Sequence, residues 1–494
     1  MTTRCADAAR SASLSLRPLL AVALTAMLSA CAGLERQGEQ VVAPAAPPAA
    51  PRTVGIEPLS NAEHRRLVAQ FGGEYHWPAA ERELNAILVA LAQASEGSPP
   101  AYRVTILNTP IVNAFALPSG NIYVSRGLLA LANDASEVAA VMAHEIGHVT
   151  ARHAAARAER EKQAAVITQA ANVIQSRQKG EQVEASQKMS FAGFSRQQEI
   201  DADRIGIRVI ARAGYDPSGA ARFLTSLGRS SALRAELLGR PTDAKPDILA
   251  THPSTPERIA KALQAAREIS GPGIGKTDGA AYLASIDGMM FGDDPAEGVV
   301  RGRKFLHSRL GFSFTAPDGF VLENSSKALL GSRDGGAEAL RLDSVAVNPS
   351  TPLETYLASG WIDGVLTSSI ETGTVNGLPA AFGTARAGEW NFRIAVIRIG
   401  GDVYRLIFAS RALSDEVQKH FRDAVDSFRK LDTAEAAAIR PQKIAIVAGA
   451  GESLASLTAR MQVSDRPLET FQLLNGLSPT EAIEPTRSYK IVVE

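Results

Sequence analysis

The spacing of hydrophobic positions changes along this chain, and the changes divide it into parts. Between residues 57 and 270 the pattern is mostly that of helices with one apolar face. Residues 79–94 follow it. Residues 134–150 form a stronger helix, with Asn133 or Asp134 as its N-cap and Glu137 in its first turns, where a carboxylate suits the positive end of the helix dipole. Residues 198–213 form a second strong helix, closed by Gly214, and another begins at Pro217. Strand-like runs at 102–107 and 111–124 interrupt this region, the second broken by Pro118-Ser119-Gly120. Residues 157–187 are polar, rich in Ala and Gln, and helical apart from a break at Lys179-Gly180.

A Gly-rich break at 271–277 precedes a change of texture. From 280 to 432 the chain reads as α+β, with strands at 312–314, 340–347, 392–399 and 403–409 and a helix at 415–428. Gly292-Asp293-Asp294 reads as a turn and lacks the calcium-loop pattern. A short, separate unit follows at 442–494. The predicted architecture is multidomain α+β: a mostly helical domain with a small sheet at 57–270, an accessory domain at 280–432, and a strand–helix–helix–strand unit at 442–494.

A chain of 494 residues accommodates several domains, and 45% hydrophobic with 21% charged residues fits a globular protein. Basic and acidic residues balance at 52 each, so no global field favours nucleic acid, and none is expected as a partner. Arg4, Arg10 and Arg17 flank an apolar run at 19–28 that is short for a bilayer span, which makes residues 1–30 an export signal. The run ends in Leu28-Ser29-Ala30-Cys31, which resembles the bacterial lipobox. That resemblance implies a lipid anchor at Cys31 and, with Ala32 rather than Asp next, the outer membrane of a Gram-negative cell. An ordinary secretory signal is the alternative. Residues 31–56 are rich in Ala and Pro and read as a tether. Cys5 and Cys31 are the two cysteines, so neither a disulfide framework nor a Cys-ligated zinc belongs to the folded body.

The chemistry is concentrated in His144-Glu145-Ile146-Gly147-His148, an HExxH motif inside the 134–150 helix. Residues four apart differ by about 40° around a helix and rise about 6 Å, so both imidazoles leave from one face. That arrangement suits two ligands on one tetrahedral zinc ion. Glu145 then lies beside the metal, where a carboxylate acts as general base toward a water. Glu199 and Asp203 on the 198–213 helix are again four apart. One can bind the metal while the other hydrogen-bonds a ligating imidazole, and spacing alone does not choose between them.

HExxH followed by this ExxxD helix resembles the gluzincin peptidases of the CAAX prenyl protease and HtpX type, in their periplasmic, BepA-like branch. Asn113-Ala114-Phe115-Ala116-Leu117-Pro118 with Gly120, Thr251-His252-Pro253 and Arg258-Ile259 share in the resemblance, which covers residues 57–270. It implies one Zn2+ per subunit held by His144, His148 and Glu199, with Asp203 supporting a zinc-bound histidine. It also brings His252 near the metal, to stabilise an oxyanion or to fill the open coordination position. Asn113, Ala114 and Phe115 read as a strand or hairpin beside the metal helix, either an edge for an extended substrate or an ordinary hairpin. His153 reads as a helix-face residue, and His64, His76 and His307 have no partners in the sequence pattern.

The 442–494 unit resembles a LysM domain, with Gly451-Glu452-Ser453-Leu454 where that family usually has Gly-Asp-Thr-Leu. The resemblance implies peptidoglycan contact, and a structural cap is the other reading. The resemblances together imply a zinc metalloendopeptidase of the bacterial envelope acting on protein or peptide substrates, namely misfolded or stalled envelope proteins. The alternatives are a chaperone working with the outer-membrane protein assembly machinery, with a latent protease, and a peptidoglycan-binding lipoprotein.

Overall fold

The computed structural model describes residues 60–96, 101–159, 194–239, 252, 254–271, 273–412 and 414–494. The export signal, the lipobox at Cys31, the tether, the 160–187 part of the polar helix, and Thr251 and Pro253 lie outside the described residues.

The helix Ala135–Thr150 is the centre of the first domain. Asp134 caps it, its side chain accepting from the Glu137 N–H, and almost every residue from Ala135 to His148 is buried. The helix is therefore packed on all sides, as its apolar content allows. Against it lie Pro78–Ala94, Arg196–Arg212 and Gly219–Leu237. Two glycines set the closest of these approaches. A Cβ on Gly147 would lie 3.0 Å from the Ala202 carbonyl oxygen, and one on Gly206 would lie 2.9 Å from the His144 nitrogen. Each helix thus rests its backbone on the other next to the HExxH motif.

Beside the metal helix is a three-stranded sheet of order β1-β3-β2. Strand β1 (Arg103–Leu107) runs parallel to β3 (Asn121–Ser125), and β2 (Ala114–Ala116) pairs antiparallel with β3, Ala114 opposite Val124. The 111–124 run is thus two strands joined through the Pro118-Ser119-Gly120 turn, where Gly120 has φ +90°. β2 is an edge strand.

A helix, Gly279–Ile286, leads to the short strand β4 (Met290–Phe291). The accessory domain follows with its own cores. Its smaller sheet has β5 (Val299–Arg301), β6 (Lys304–His307) and β7 (Phe312–Thr315), with β15 (Arg429–Lys430) closing its edge. Its larger antiparallel sheet has order β11-β12-β13-β14-β10-β9-β8. In chain order these are Val321–Asn324, Leu329–Arg333, Glu338–Ala346, Glu371–Val375, Leu378–Ala387, Trp390–Ile399 and Asp402–Ser410, from β8 to β14. The helix Asp415–Asp426 buries Val417, Ala424 and Val425 into the larger core.

The C-terminal unit has the predicted order: β16 (Gln442–Ala448), helices Leu454–Ala459 and Pro467–Leu474, and β17 (Ser488–Val493). It is not separate. Its sheet is completed by β4, in the order β17-β16-β4. Phe471, Leu474, Tyr489 and Ile491 share one core with Leu128, Val138 and Met142 of the first domain. The physical reason lies in β17: Tyr489, Lys490, Ile491 and Val492 are all buried. A strand buried on both faces needs a second layer that a fifty-residue unit cannot supply by itself. Among the described residues no helix is long and apolar enough to cross a membrane.

Candidate metal centre

His144 and His148 project from one face of their helix, with Nε2 atoms 3.0 Å apart. Glu199 enters from the first turn of Arg196–Arg212, a helix started by a capping box of Ser195 and Gln198. Its Oε2 is 3.5 Å from His144 Nε2 and its Oε1 is 3.6 Å from His148 Nε2. His252 joins them: its Nδ1 lies 2.9 Å from Glu199 Oε1 and 3.2 Å from His144 Nε2.

These separations can be tested against a metal. A tetrahedral ion with bonds of about 2.1 Å sets its ligand atoms roughly 3.4 Å apart. The three predicted ligands meet that spacing, and donor atoms from His144, His148, Glu199 and His252 all lie within 4.8 Å of one another. Two or three imidazoles with one carboxylate is a donor set that suits zinc.

The residues around the cluster fix its orientation. Asp203 Oδ1 is 2.8 Å from His144 Nδ1, on the side away from the ligand atom. Arg258 donates from Nε to Asp203 Oδ2 and from Nη2 to Oδ1, each at 2.8 Å, and its Nη1 lies 2.9 Å from Glu199 Oε2. One buried guanidinium thus serves both carboxylates. Sequence reading noted Arg258 but assigned it no role.

His153, on the helical turn after Thr150, is drawn into the site. It is buried, with its Nδ1 3.0 Å from His148 Nδ1, and the Gln198 side chain donates to its carbonyl. The helix ends at Thr150, and Arg152 takes a positive φ of 52°, which turns the chain back so that His153 stands behind His148. Phe194 stacks on the His148 ring with centroids 3.9 Å apart.

The local field favours a cation. Burial opposes charge on His144, yet hydrogen bonds and attraction from Asp203 and Glu199 push its pKa up to about 10. Burial and the neighbouring His144 and His252 hold His148 far below the usual imidazole range. Burial also works against charge on Glu199, but bonds to His144 and His252 outweigh it and keep the carboxyl ionised. Burial raises Glu145, partly offset by His252 and His144, as suits a general base that must hold a proton transiently.

Strand β2 reaches this centre through its backbone: the Ala116 N–H donates to Glu145 Oε2 at 3.2 Å. Asn113 is tied to β3, its N–H donating to Ser125 Oγ. Ala114 is buried, and the Phe115 ring packs between Tyr123 and Phe71, with centroids at 4.8 and 5.5 Å. Other histidines find partners elsewhere. His64 sits between Tyr123 OH and Glu74, each at 2.8 Å, and His76 is 3.2 Å from Glu81. His307 lies in the accessory domain, its Nδ1 accepting from the Leu310 N–H.

Comparison with known proteins agrees with this geometry. The chain matches Peptidase family M48 over residues 78–266. It is 30% identical over 217 residues to the Escherichia coli K12 beta-barrel assembly-enhancing protease, covering 42% of this chain and 43% of that protein. It is 36% identical over 166 residues to the Arabidopsis thaliana mitochondrial metalloendopeptidase OMA1, covering 33% of this chain and 32% of that one. To the E. coli metalloprotease LoiP it is 27% identical over 225 residues, 43% of this chain and 84% of LoiP. The chain thus spans less than half the length of the first two relatives. The matched segment contains both metal helices, Asp203, His252 and Arg258, so the part of the chain that is similar to peptidase family M48 is the part that builds this centre.

Proposed function

We propose that this protein is a zinc metalloendopeptidase of the bacterial envelope, with His144, His148 and Glu199 as ligands and Glu145 as general base. The observation that carries the reading is the convergence of three buried donor groups from two helices at the spacing of a tetrahedral ion, with Glu145 beside them. Zinc bound there would polarise a peptide carbonyl and activate a water near neutral pH. Glu145 takes the proton from the attacking water and delivers it to the leaving amine. Asp203 and His153 stand behind the two imidazoles at Nδ1 and hold their Nε2 atoms toward the centre, and Arg258 pairs with both carboxylates. The β2 edge, from Asn113 through Ala114 and Phe115 to Ala116, pairs with an extended peptide. A peptide laid on it lies next to Glu145.

Envelope location follows from the export signal and lipobox, with Cys31 as anchor to the outer membrane and residues 31–56 as tether. Misfolded or stalled envelope proteins are the substrates that this location suggests, and the name of the E. coli relative is compatible with them. A second reading has one specific observation in its favour: His252 stands among the ligand atoms, 3.2 Å from His144 Nε2. There it would fill the open position and keep the enzyme latent.

Casein cleavage by the purified chain tests both. Glu145→Gln should retain zinc and lose cleavage by about 10²-fold or more. Equal cleavage by the wild type and Glu145→Gln would overturn the peptidase reading. His252→Ala should raise cleavage if His252 enforces latency and lower it if His252 stabilises the oxyanion.

A further inference from the structure

The metal helix is joined to the rest of the domain through a short helix, Arg126–Leu131, and three residues, Ala132-Asn133-Asp134. The last four carbonyls of any helix lack donors from within it. Here they are those of Leu129 to Ala132, in a buried part of the core. Tyr282, from the linking helix, donates its hydroxyl to the Leu129 carbonyl at 2.6 Å. The remaining three accept from one side chain. Lys490 Nζ donates to the carbonyls of Ala130, Leu131 and Ala132 at 2.8, 3.3 and 2.6 Å. An ammonium has three donors and no acceptor, so this helix end uses its full capacity.

Lys490 is 0% exposed and lies on β17, the last strand of the chain. Its own backbone is held on both sides by buried Asn475, which accepts from the Lys490 N–H at 2.7 Å and donates to its carbonyl at 2.9 Å. The next residue, Gly476, rests on Asn133, where a Cβ would lie 3.3 Å from Asn133 Nδ2. Asn133 in turn donates its N–H to Glu137 in the first turn of the metal helix, two turns before His144. Burial lowers the Lys490 pKa to about 7, with the attraction of Glu137 working against that effect. The negative end of the short helix favours a cation here.

We propose that Lys490 is a positioning residue for the metal helix, so that the C-terminal unit braces the candidate active site rather than hanging from it as an independent binding module. The proposal rests on the reading that His144 and His148 bind zinc. A methionine at position 490 would replace the apolar stem but leave the carbonyls of Ala130 and Ala132 without their donor, while that of Leu131 would keep only Asn133 Nδ2 at 3.2 Å. The junction that sets the start of Ala135–Thr150 would then relax, and the ligands two turns on would shift with it.

The test uses the full chain and compares wild type, Lys490→Met and Ile491→Ala. Ile491 is a buried core neighbour on the same strand. For each, zinc affinity is read by chelator competition, kcat and KM on casein, and the thermal midpoint. Both variants should lower the midpoint. Lys490→Met alone should weaken zinc binding by about tenfold and reduce kcat with KM little changed. If Lys490→Met does not fold, Lys490→Gln, whose shorter side chain keeps two donors, takes its place, with a smaller loss in the same two readouts expected. Unchanged zinc affinity and kcat in the Lys490 variant, or equal losses in Ile491→Ala, would overturn the brace. A wild-type chain that takes up no zinc would instead overturn the metal reading beneath it.

Discussion

His144 and His148 stand side by side with different partners behind them. His144 has a carboxylate, Asp203, 2.8 Å from its Nδ1, and His148 has an imidazole, His153, 3.0 Å from its Nδ1. A carboxylate partner orients a metal-binding imidazole and raises its basicity. Asp203→Asn should therefore weaken zinc binding by about 10- to 100-fold, and His153→Ala should weaken it less. Chelator competition on the two variants checks the order, and a larger loss at His153 would reverse this ranking. HExxH was legible in the sequence because both histidines and Glu145 fall within five consecutive residues. The choice between Glu199 and Asp203 was not, since both share a helix face; the geometry brings Glu199 to the Nε2 atoms and Asp203 to the Nδ1 side. His153 was missed because a non-glycine residue, Arg152, makes the left-handed turn that brings it back. The role of Arg258 was not legible because its partner Asp203 is 55 residues away.

Among the elements, the pair of helices Ala135–Thr150 and Arg196–Arg212 determines whether the ligands meet. Their backbones touch at Gly147 and Gly206, and neither glycine has a positive φ, so small size is what the positions require. Gly206→Ala should push the helices apart beside His144, at a cost of about 1–3 kcal/mol in stability, with zinc affinity falling as well. A variant that matches the wild type in both thermal midpoint and zinc affinity would show that the contact yields easily. Both helices were predicted to within about two residues, since capping residues and apolar spacing agree in each. The strand at Leu378–Ala387 was not predicted. Pro379, Gly383 and four alanines give it little strand propensity, and pairing with a neighbour on each side overrides that local preference.

At the scale of the molecule, the chain leaves the first domain, builds the accessory domain, and returns to finish the core it left. Composition and spacing divided it into consecutive domains. That division missed the return because the residues that share a core, such as Leu128 and Tyr489, lie more than 350 positions apart. The two ends of the accessory domain meet as neighbours, with Phe291 of β4 opposite Gln442 of β16. Replacing residues 294–440 by a short glycine linker should therefore leave a folded, zinc-binding protein. Ending the chain at 440 should instead expose the apolar surface around Leu128 and Leu131 and abolish zinc retention. Circular dichroism with zinc content on both truncations distinguishes them, and loss of fold in both would contradict the inserted arrangement.

The central claim is that one zinc ion sits between the HExxH helix and Glu199. Zinc-edge X-ray absorption on the purified full chain tests it most directly. The expected result is one zinc per chain, with imidazole nitrogen and carboxylate oxygen at about 2.0–2.2 Å and no sulfur. A chain without zinc, or with zinc in an all-oxygen shell, would contradict the account.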